Sequence, residues 1–563
     1  MIGYIREIEL SMKIKRIVID NYKSISHIEI NCSRYLNSFI GENSVGKSNI
    51  FDAINWALGP AFPSFNSTLP QDHYMGLMEN LINIRLYYDD GNYLELAEKW
   101  NDPQGRSKSG LNLSGQYVTD IQRQKYCSAY LGVERNILEH LPSNRWSLMG
   151  RILQDINDMF KKEKVVDTDT GELINKSDIF ISGLERIRDD VLFSVQDDDG
   201  NLVMKQFIEL LQTETAIQLN RPKEDLSIDL NLYDPWNFFR TLQVIVKDSC
   251  TDLHFQASRL GMGVQASISI AVLKAYSKLK LNNNTPLFID EPELFLHPQA
   301  QRSFYNVLCD LAQSGTQIFY TTHSPNFLSV GRFNEVFVTR KTASKGTFIN
   351  SAHPKLFCDD LFLRIGITSN ITDMMLQYRN AYEETGDTQK ANEAFFAKKV
   401  ILVEGQSESL VLPYLFSMIE FDYIGKGITI VRCGSKGDID RFFRLYVELG
   451  IPCYLIFDGD SHHINTNDEK DTIKKNKALL SLFNKDSDFP DNSTCEEYLG
   501  FSHTLNENLG FQTSSKGLKL FKDVRNNITK SDQVPVWVTD IAKRIEALPE
   551  FKDSVLKRNQ VEP

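Results

Sequence analysis

Over residues 13–25 (KIKRIVIDNYKSI) apolar Ile14, Ile17 and Ile19 alternate with charged positions before the pattern breaks, which predicts an edge-type strand. A second apolar run, NSFIGENS, passes directly into a glycine-containing loop and then into helical periodicity, NIFDAINWALG. INIRLYY (82–88) and residues 93–99 alternate as a pair of antiparallel strands. From about 117 to 225 the period lengthens to that of charged helices, which predicts an insertion. Strand character returns at PWNFFRTLQVIVKD, followed by a helix, QASISIAVLKAYSKLK. The short apolar strand PLFID, another helix and the strand TQIFYTTHS come next. Such alternation of strand and helix predicts a parallel sheet packed between helices, an α/β fold. Residues 332–350 read as a closing hairpin and 354–395 as a helical connector, and a fresh α/β unit starts at KKVILVEGQSE and runs through IPCYLIFDGD.

The pattern divides the chain into 1–116, 117–225, 226–350, 351–395 and 396–563. A length of 563 residues exceeds what one hydrophobic core serves, in keeping with several domains. Hydrophobic content of 42% and charged content of 24% are those of globular protein, and no run approaches the roughly 20 apolar residues of a membrane span. The N-terminus mixes charge through its apolar residues and has no signal-peptide core, so a cytoplasmic, prokaryotic location is expected. The eight cysteines form no CxxC pair, and Cys32, Cys309, Cys433 and Cys453 read as reduced buried thiols. A formal net charge of −12 argues against indiscriminate nucleic-acid binding but leaves room for a local basic groove.

GENSVGKS (Gly41–Ser48) fits G-x-x-x-x-G-K-[ST] between a strand and a helix. Gly41, Asn43, Gly46, Lys47 and Ser48 are the candidate phosphate-binding residues. The glycines let backbone N–H groups curl around phosphates, Lys47 reaches the terminal ones, and Ser48 ligates Mg²⁺. In PLFIDEPELFLHP a buried strand delivers Asp290 to the same Mg²⁺, and Glu291 follows to polarise the attacking water. The next strand ends in Thr321-Thr322-His323-Ser324-Pro325, which places His323 to sense the γ-phosphate of ATP. Gln71 or Asp72 could serve as the Q-loop residue.

These residues resemble the ABC-type ATPases of SMC-like repair proteins and, more closely, the OLD family of prokaryotic nucleases. The resemblance implies two ATPase heads sandwiching ATP, with a signature loop acting across the dimer. Here that loop is Arg259–Gln265, with Gly263 and Gln265 in place and Met262 where the signature has Ser, which implies slow turnover.

A second constellation lies downstream. Glu404 ends one apolar strand, Glu408 lies one helical turn on, and Asp458-Gly459-Asp460 ends another strand about fifty residues later. No basic residue near them in sequence explains such a convergence of carboxylates, and oxygen-only ligands select Mg²⁺ or Mn²⁺. The pattern, with VRCGSKGDID between, resembles the Toprim domain of topoisomerases, primases and OLD nucleases. The OLD resemblance covers 12–350 as ATPase head and about 396–545 as Toprim, with the helical insertion as its dimerisation region. It implies two-metal phosphodiester hydrolysis with Glu404, Glu408, Asp458 and Asp460 as ligands, Glu496 as a later ligand and Lys530 near the scissile phosphate. Lys470, Lys474 and Lys477 share a helical face that could grip a DNA backbone, whereas His462 and His463 read as loop residues.

The expectation is an ATP-regulated, metal-dependent DNA endonuclease and antiviral effector, forming a homodimer or higher oligomer. Family resemblance adds a partner of the Gabija type, a helicase-like subunit, or a retron reverse transcriptase with its DNA. A topoisomerase would need a separate tyrosine domain and a primase a zinc module, and neither is found. The remaining rival is an ATP-dependent DNA-binding sensor or clamp without nuclease activity.

Overall fold

A computed structural model describes residues 12–59, 62–119, 286–512 and 515–551, together with shorter runs between 122 and 272, of which 148–166 and 171–219 are the longest. The chain divides into two units, Met1–Ser128 with Pro286–Pro563, and Ala129–Thr285. The second unit takes in residues 129–225 of the expected 117–225 insertion and also the expected signature loop, Arg259–Gln265, whereas 117–128 belong to the first unit.

The first unit opens with β1 (Ile14–Tyr22), β2 (Ile25–Asn31) and β3 (Leu36–Ile40), followed by α1 (Lys47–Leu58). Next come β4 (Asn83–Tyr88), β5 (Tyr93–Asn101), β6 (Ser107–Leu113) and β7 (Gln116–Tyr117). After residue 285 it continues with β8 (Leu287–Ile289), α2 (Pro298–Gln313), β9 (Ile318–Thr321), β10 (Val336–Thr342) and β11 (Gly346–Ser351). The strand order is β7-β6-β5-β4-β1-β2-β11-β10-β3-β9-β8. Strands β10, β3, β9 and β8 run parallel to one another, while β10 with β11 and β1, β2, β4 and β5 pair antiparallel. β3 is buried along its whole length, as a strand covered on both faces must be.

β1 is not the edge strand its charge pattern predicts, because β2 and β4 flank it. Its charges are answered across the sheet: Arg16 pairs with Glu29 at 3.2 Å, and Asp20 with Arg85 at 3.2 Å. The expected hairpin at 332–350 is β10–β11.

The connector is helical: α3 (Pro354–Ile365), α4 (Ile371–Glu384) and α5 (Thr388–Glu393). The last module contains β12 (Lys399–Val403), α6 (Gln406–Met418), β13 (Ile428–Arg432), α7 (Lys436–Glu448), β14 (Cys453–Asp458), α8 (Glu469–Ser481) and β15 (Tyr498–Phe501). It ends with α9 (Leu518–Asn527) and α10 (Val536–Ala547). Its sheet is all parallel, in the order β13-β12-β14-β15. Alternate residues of one strand enter opposite cores. Val400, Leu402, Leu455 and Phe457 pack with Phe442, Leu445 and Leu479, whereas Ile401, Val403, Tyr454 and Ile456 pack with Val411, Leu415, Leu520 and Ile541.

The second unit contains helices Leu148–Lys162, Lys176–Ile187 and Val203–Leu219, with Phe160, Phe180, Phe238 and Phe239 in edge contacts. PWNFFRTLQVIVKD is not one strand: Pro235–Phe239 is helical and only Ile245–Lys247 is extended. A proline at the first helical position costs no hydrogen bond, and Trp236 N donates to Asp234 ahead of it. Cys433 and Cys453 are buried as expected, but Cys32 and Cys309 are only half-buried. Among the described residues no helix is long and apolar enough to cross a membrane.

Candidate functional sites

The loop between β3 and α1 is held by its neighbours. Gly41 (φ 145°) and Gly46 (φ 107°) adopt backbone conformations open to glycine, and a Cβ at either would meet Thr339 or Thr347. Thr347 Oγ1 donates to Val45 O at 2.7 Å and lies 2.7 Å from Ser24 Oγ, so the β10–β11 hairpin braces the loop from outside. Lys47 Nζ donates to the carbonyls of Gly41 (3.0 Å) and Glu42 (2.8 Å). Burial draws its pKa down, against the pull of Glu291, Asp290 and Glu293.

β9 lies between β3 and β8, and this order converges the predicted residues. The Thr321 hydroxyl donates to Asp290, and Glu291 N donates to Thr321 Oγ1 at 2.9 Å. His323 Nε2 lies 3.8 Å from Glu291 Oε1, and burial lowers the pKa of the imidazole. Glu291 itself sits at φ 46°, a backbone uncommon outside glycine. Glu293 was not singled out by sequence. It is mostly buried, accepts from Thr322 Oγ1 (2.9 Å) and from His323 N, and so ties the His323 loop to the turn after β8.

Ser48 is exposed at the start of α1, Asn43 lies exposed in the loop, and Gln71 is exposed on the turn Pro70–Asp72. Asp72 accepts from Leu69 N at 2.9 Å and caps its own turn. Gly263 and Gln265 belong to the second unit, where Gln265 Nε2 donates to Leu260 O at 2.7 Å and Met262 is exposed.

In the last module the chain leaves β12 toward β13 on one side and leaves β14 toward β15 on the other. The crevice between the carboxyl ends of β12 and β14 is therefore the topological switch point, where open α/β sheets place ligands. Val403 pairs with Ile456, which brings Glu404 and Asp458 to adjacent strand ends. Glu408, at the first turn of α6, accepts from Gly405 N at 3.0 Å, and Asp458 Oδ1 accepts from Leu505 N at 2.8 Å.

Burial pushes the Glu404 carboxyl up to about 7, opposed by Lys436 and reinforced by Asp460 and Glu408. Burial also raises Glu408, and it raises Asp458 well above the carboxylate range, with Glu408 and Glu404 adding to the rise. Glu404 Oε2 is buried without a hydrogen-bond partner. A buried carboxylate oxygen left bare beside two further acids fits a divalent cation, whose charge offsets both desolvation and mutual repulsion.

Lys436, absent from the sequence reading, donates to Asp460 Oδ2 (2.6 Å) and Asn476 Oδ1 (3.2 Å). A basic residue thus does reach the cluster, from the first turn of α7. The charge of exposed Lys516 also pulls, more weakly, against the raised pKa of Glu408.

Two expected residues stand elsewhere. Leu455 pairs with Tyr498 and Asp458 with Phe501, so Glu496 precedes β15 at the opposite end of the sheet, about 16 Å from Asp458 at the rise of a strand. Lys530 is exposed, with its backbone N on Gln533 Oε1 at 3.0 Å. It follows Ile528, whose carbonyl accepts from Tyr414, about 9 Å along α6 from Glu408. The end facing Asp458 is instead approached by the loop after β15, where His503 O accepts from Asp460 N at 2.9 Å.

Lys470, Lys474 and Lys477 do share a face. With Lys475 and Lys485 they line a cavity of about 1270 Å³ between α3, α7 and α8, which Lys436 also lines. Lys477 is paired with Asp488 at 2.9 Å and Lys475 with Asp471 at 2.7 Å.

Residues 12–104 and 66–328 match the family model described as AAA ATPase domain, and residues 395–460 match the overcoming lysogenization defect protein-like TOPRIM domain. The OLD nuclease of Thermus scotoductus is 27% identical over 82% of this chain and 85% of its own length. The Old nuclease of Escherichia phage P2 is 24% identical over 80% of this chain and 78% of its own. Endonuclease GajA of Bacillus cereus strain VD045 is 23% identical over 84% and 77%. An AAA ATPase domain that uses nucleotide, followed by an OLD-like TOPRIM domain that uses divalent metal, places this chain in the OLD family.

Proposed function

We propose that this chain is an ATP-regulated, divalent-metal-dependent DNA endonuclease that acts as an antiviral defence effector. The observation that carries the reading is Glu404 Oε2, buried and unpartnered beside Asp458 and Glu408 at the switch point of a parallel sheet. Glu404, Glu408, Asp458 and Asp460 would hold Mg²⁺ or Mn²⁺, which supplies electrophilic charge for phosphodiester hydrolysis. The chain's own residues do the rest. Lys516 takes the phosphate-facing role expected of Lys530, and the exposed Lys470 and Lys474 carry the DNA backbone along the basic cavity toward Lys436.

At the other site Lys47 exchanges two backbone carbonyls for the phosphates of ATP, Ser48 and Asp290 serve Mg²⁺, and Glu291 with His323 addresses the γ-phosphate. Gly263 and Gln265 would act on the nucleotide of a second copy, slowly because Met262 replaces Ser. Dimerisation through the second unit is supported by helix Val203–Leu219, which leaves Val203, Phe207, Leu210 and Leu211 exposed. The defence role and a Gabija-type or retron-type partner follow the family resemblance.

The test is plasmid and linear DNA cleavage by the full-length chain with Mg²⁺ or Mn²⁺, with and without ATP, beside Glu404→Ala. Wild type should cut, and the variant should not, while still binding ATP. Equal cutting by the variant would remove the carboxylates from the active site, and an inert wild type under every condition would favour the sensor reading.

A further inference from the structure

The loop after β14 presents a second donor set of different chemistry from the buried acids. Asp460 adopts a left-handed backbone (φ 54°) that reverses the chain straight after the strand and starts a 3-10 turn, Ser461–His463. The turn brings the rings of His462 and His463 to 4.2 Å between centroids. One donor atom from each of Asp460, His462 and His463 lies within 4.8 Å of the other two.

The turn is braced from beneath. Asp460 N donates to His503 O (2.9 Å), Ser461 N to Ser502 O (3.0 Å), and Ser461 Oγ lies 2.9 Å from His503 Nδ1. The imidazoles themselves are not used in this bracing. Among the described residues His462 shows no hydrogen-bond partner, and the nearest acid to His463 is Asp468 at 3.7 Å.

Two adjacent imidazoles and a carboxylate on a fixed turn are a donor set for a borderline dication, since nitrogen ligands suit Zn²⁺, Fe²⁺ and Co²⁺ better than Mg²⁺. Donors around one such ion stand about 3 to 4 Å apart at bonds of about 2.1 Å, so closure needs about 1 Å of side-chain rotation. Exposed His462 can supply it. Lys436 holds Oδ2 of Asp460, which leaves the other oxygen for coordination.

We propose that Asp460, His462 and His463 form a transition-metal site beside, and distinct from, the Glu404–Glu408–Asp458 cluster. This rests on the reading of Asp460 as a metal ligand given above, and it assigns the one free oxygen of Asp460 to this site rather than to the ion of Glu404, Glu408 and Asp458. The site would let the protein take a nitrogen-preferring dication next to an oxygen-ligated Mg²⁺ or Mn²⁺, so the two ions need not be the same element.

The experiment is Co²⁺ titration of the full-length protein, followed by visible absorption and by equilibrium dialysis. Wild type should bind a Co²⁺ with ligand-field bands of a nitrogen-containing site, and excess Mg²⁺ should not displace it. The double variant His462→Gln/His463→Gln should lose that ion and its bands, and Glu404→Ala should keep both. An unchanged spectrum and stoichiometry in the double variant, or no Co²⁺ bound by wild type, would overturn the site. Loss of the bands in Glu404→Ala would merge the two donor sets and overturn their distinctness. The endonuclease reading is judged separately, by whether Glu404→Ala still cuts DNA.

Discussion

At the turn from β3 into α1 the chain has built a cation into an anion-binding loop, whereas at the turn from β12 into α6 it has gathered anions with too little positive charge to balance them. Around Lys47 the buried charges have protein partners: two carbonyls take the ammonium, the Thr321 hydroxyl takes Asp290, and the Thr322 hydroxyl and His323 N take Glu293. Around Glu404 three acids are raised by burial, one oxygen has no partner, and Lys436 is committed to Asp460. Both places lie at the carboxyl ends of parallel strands. Burial raises Asp290 and Glu293 at the first place too, but protein donors meet both, whereas the second leaves a buried carboxylate oxygen bare, so the two should answer differently to mutation, pH and metal.

The largest difference should come from deleting a ligand. Asp458→Asn should reduce metal-dependent DNA cleavage by more than the roughly 100-fold that an outer-shell change costs, with ATP affinity within twofold of wild type. Lys47→Ala should do the reverse at the first step, weakening ATP about 100-fold through loss of two charge-assisted contacts, as read by calorimetry. If ATP affinity is unchanged, the nucleotide site is misassigned.

A smaller effect separates the sites by stability. Glu404 has its pKa raised from 4.5 to about 7, so the folded state binds a proton that the unfolded state releases. Its contribution therefore disfavours folding as pH rises from about 4.5 through about 7, by up to about 3 kcal/mol. Without metal, Glu404→Gln should melt higher than wild type at pH 8, and the gap should close toward pH 4.5. A gap independent of pH would mean that Glu404 is not strained by burial. The smallest effects belong to the displaced residues: Glu496→Ala and Lys530→Ala should change cleavage less than about twofold, while Lys516→Ala should cost about tenfold, in the range of one charged contact. A large loss at Glu496 would place the metal site at the other end of β15.

Which of these features the sequence revealed follows from how local they are. An apolar run ending in an acid is legible because a strand buried on both faces has one outlet for charge, and Asp290, Glu404 and Asp458 were found that way. Glu496 was misplaced because the sequence does not state which end of a parallel strand faces the site; that depends on the register of Leu455 with Tyr498. Lys436 and Lys516 were missed because Lys436 comes from the crossover between β13 and β14 and Lys516 from the segment after β15, and their charges act on the acids only after the sheet has wound. β1 was misread as an edge because its charges suggest solvent, while in the fold they meet opposite charges on β2 and β4. His462 and His463 were set aside because an oxygen-only site was expected, and the turn at Asp460 gathers their donors beside it.

The central claim, that the acids at the ends of β12 and β14 are held for a cation, is tested most directly by Mn²⁺ calorimetry on wild type and Asp458→Asn at pH 8 and pH 6. The account predicts measurable Mn²⁺ binding by wild type at pH 8, weakening by about tenfold or more at pH 6 as Glu404, with its pKa near 7, takes up a proton. It predicts little binding by Asp458→Asn at either pH. Equal Mn²⁺ affinity in the two proteins, with no pH dependence, would contradict it.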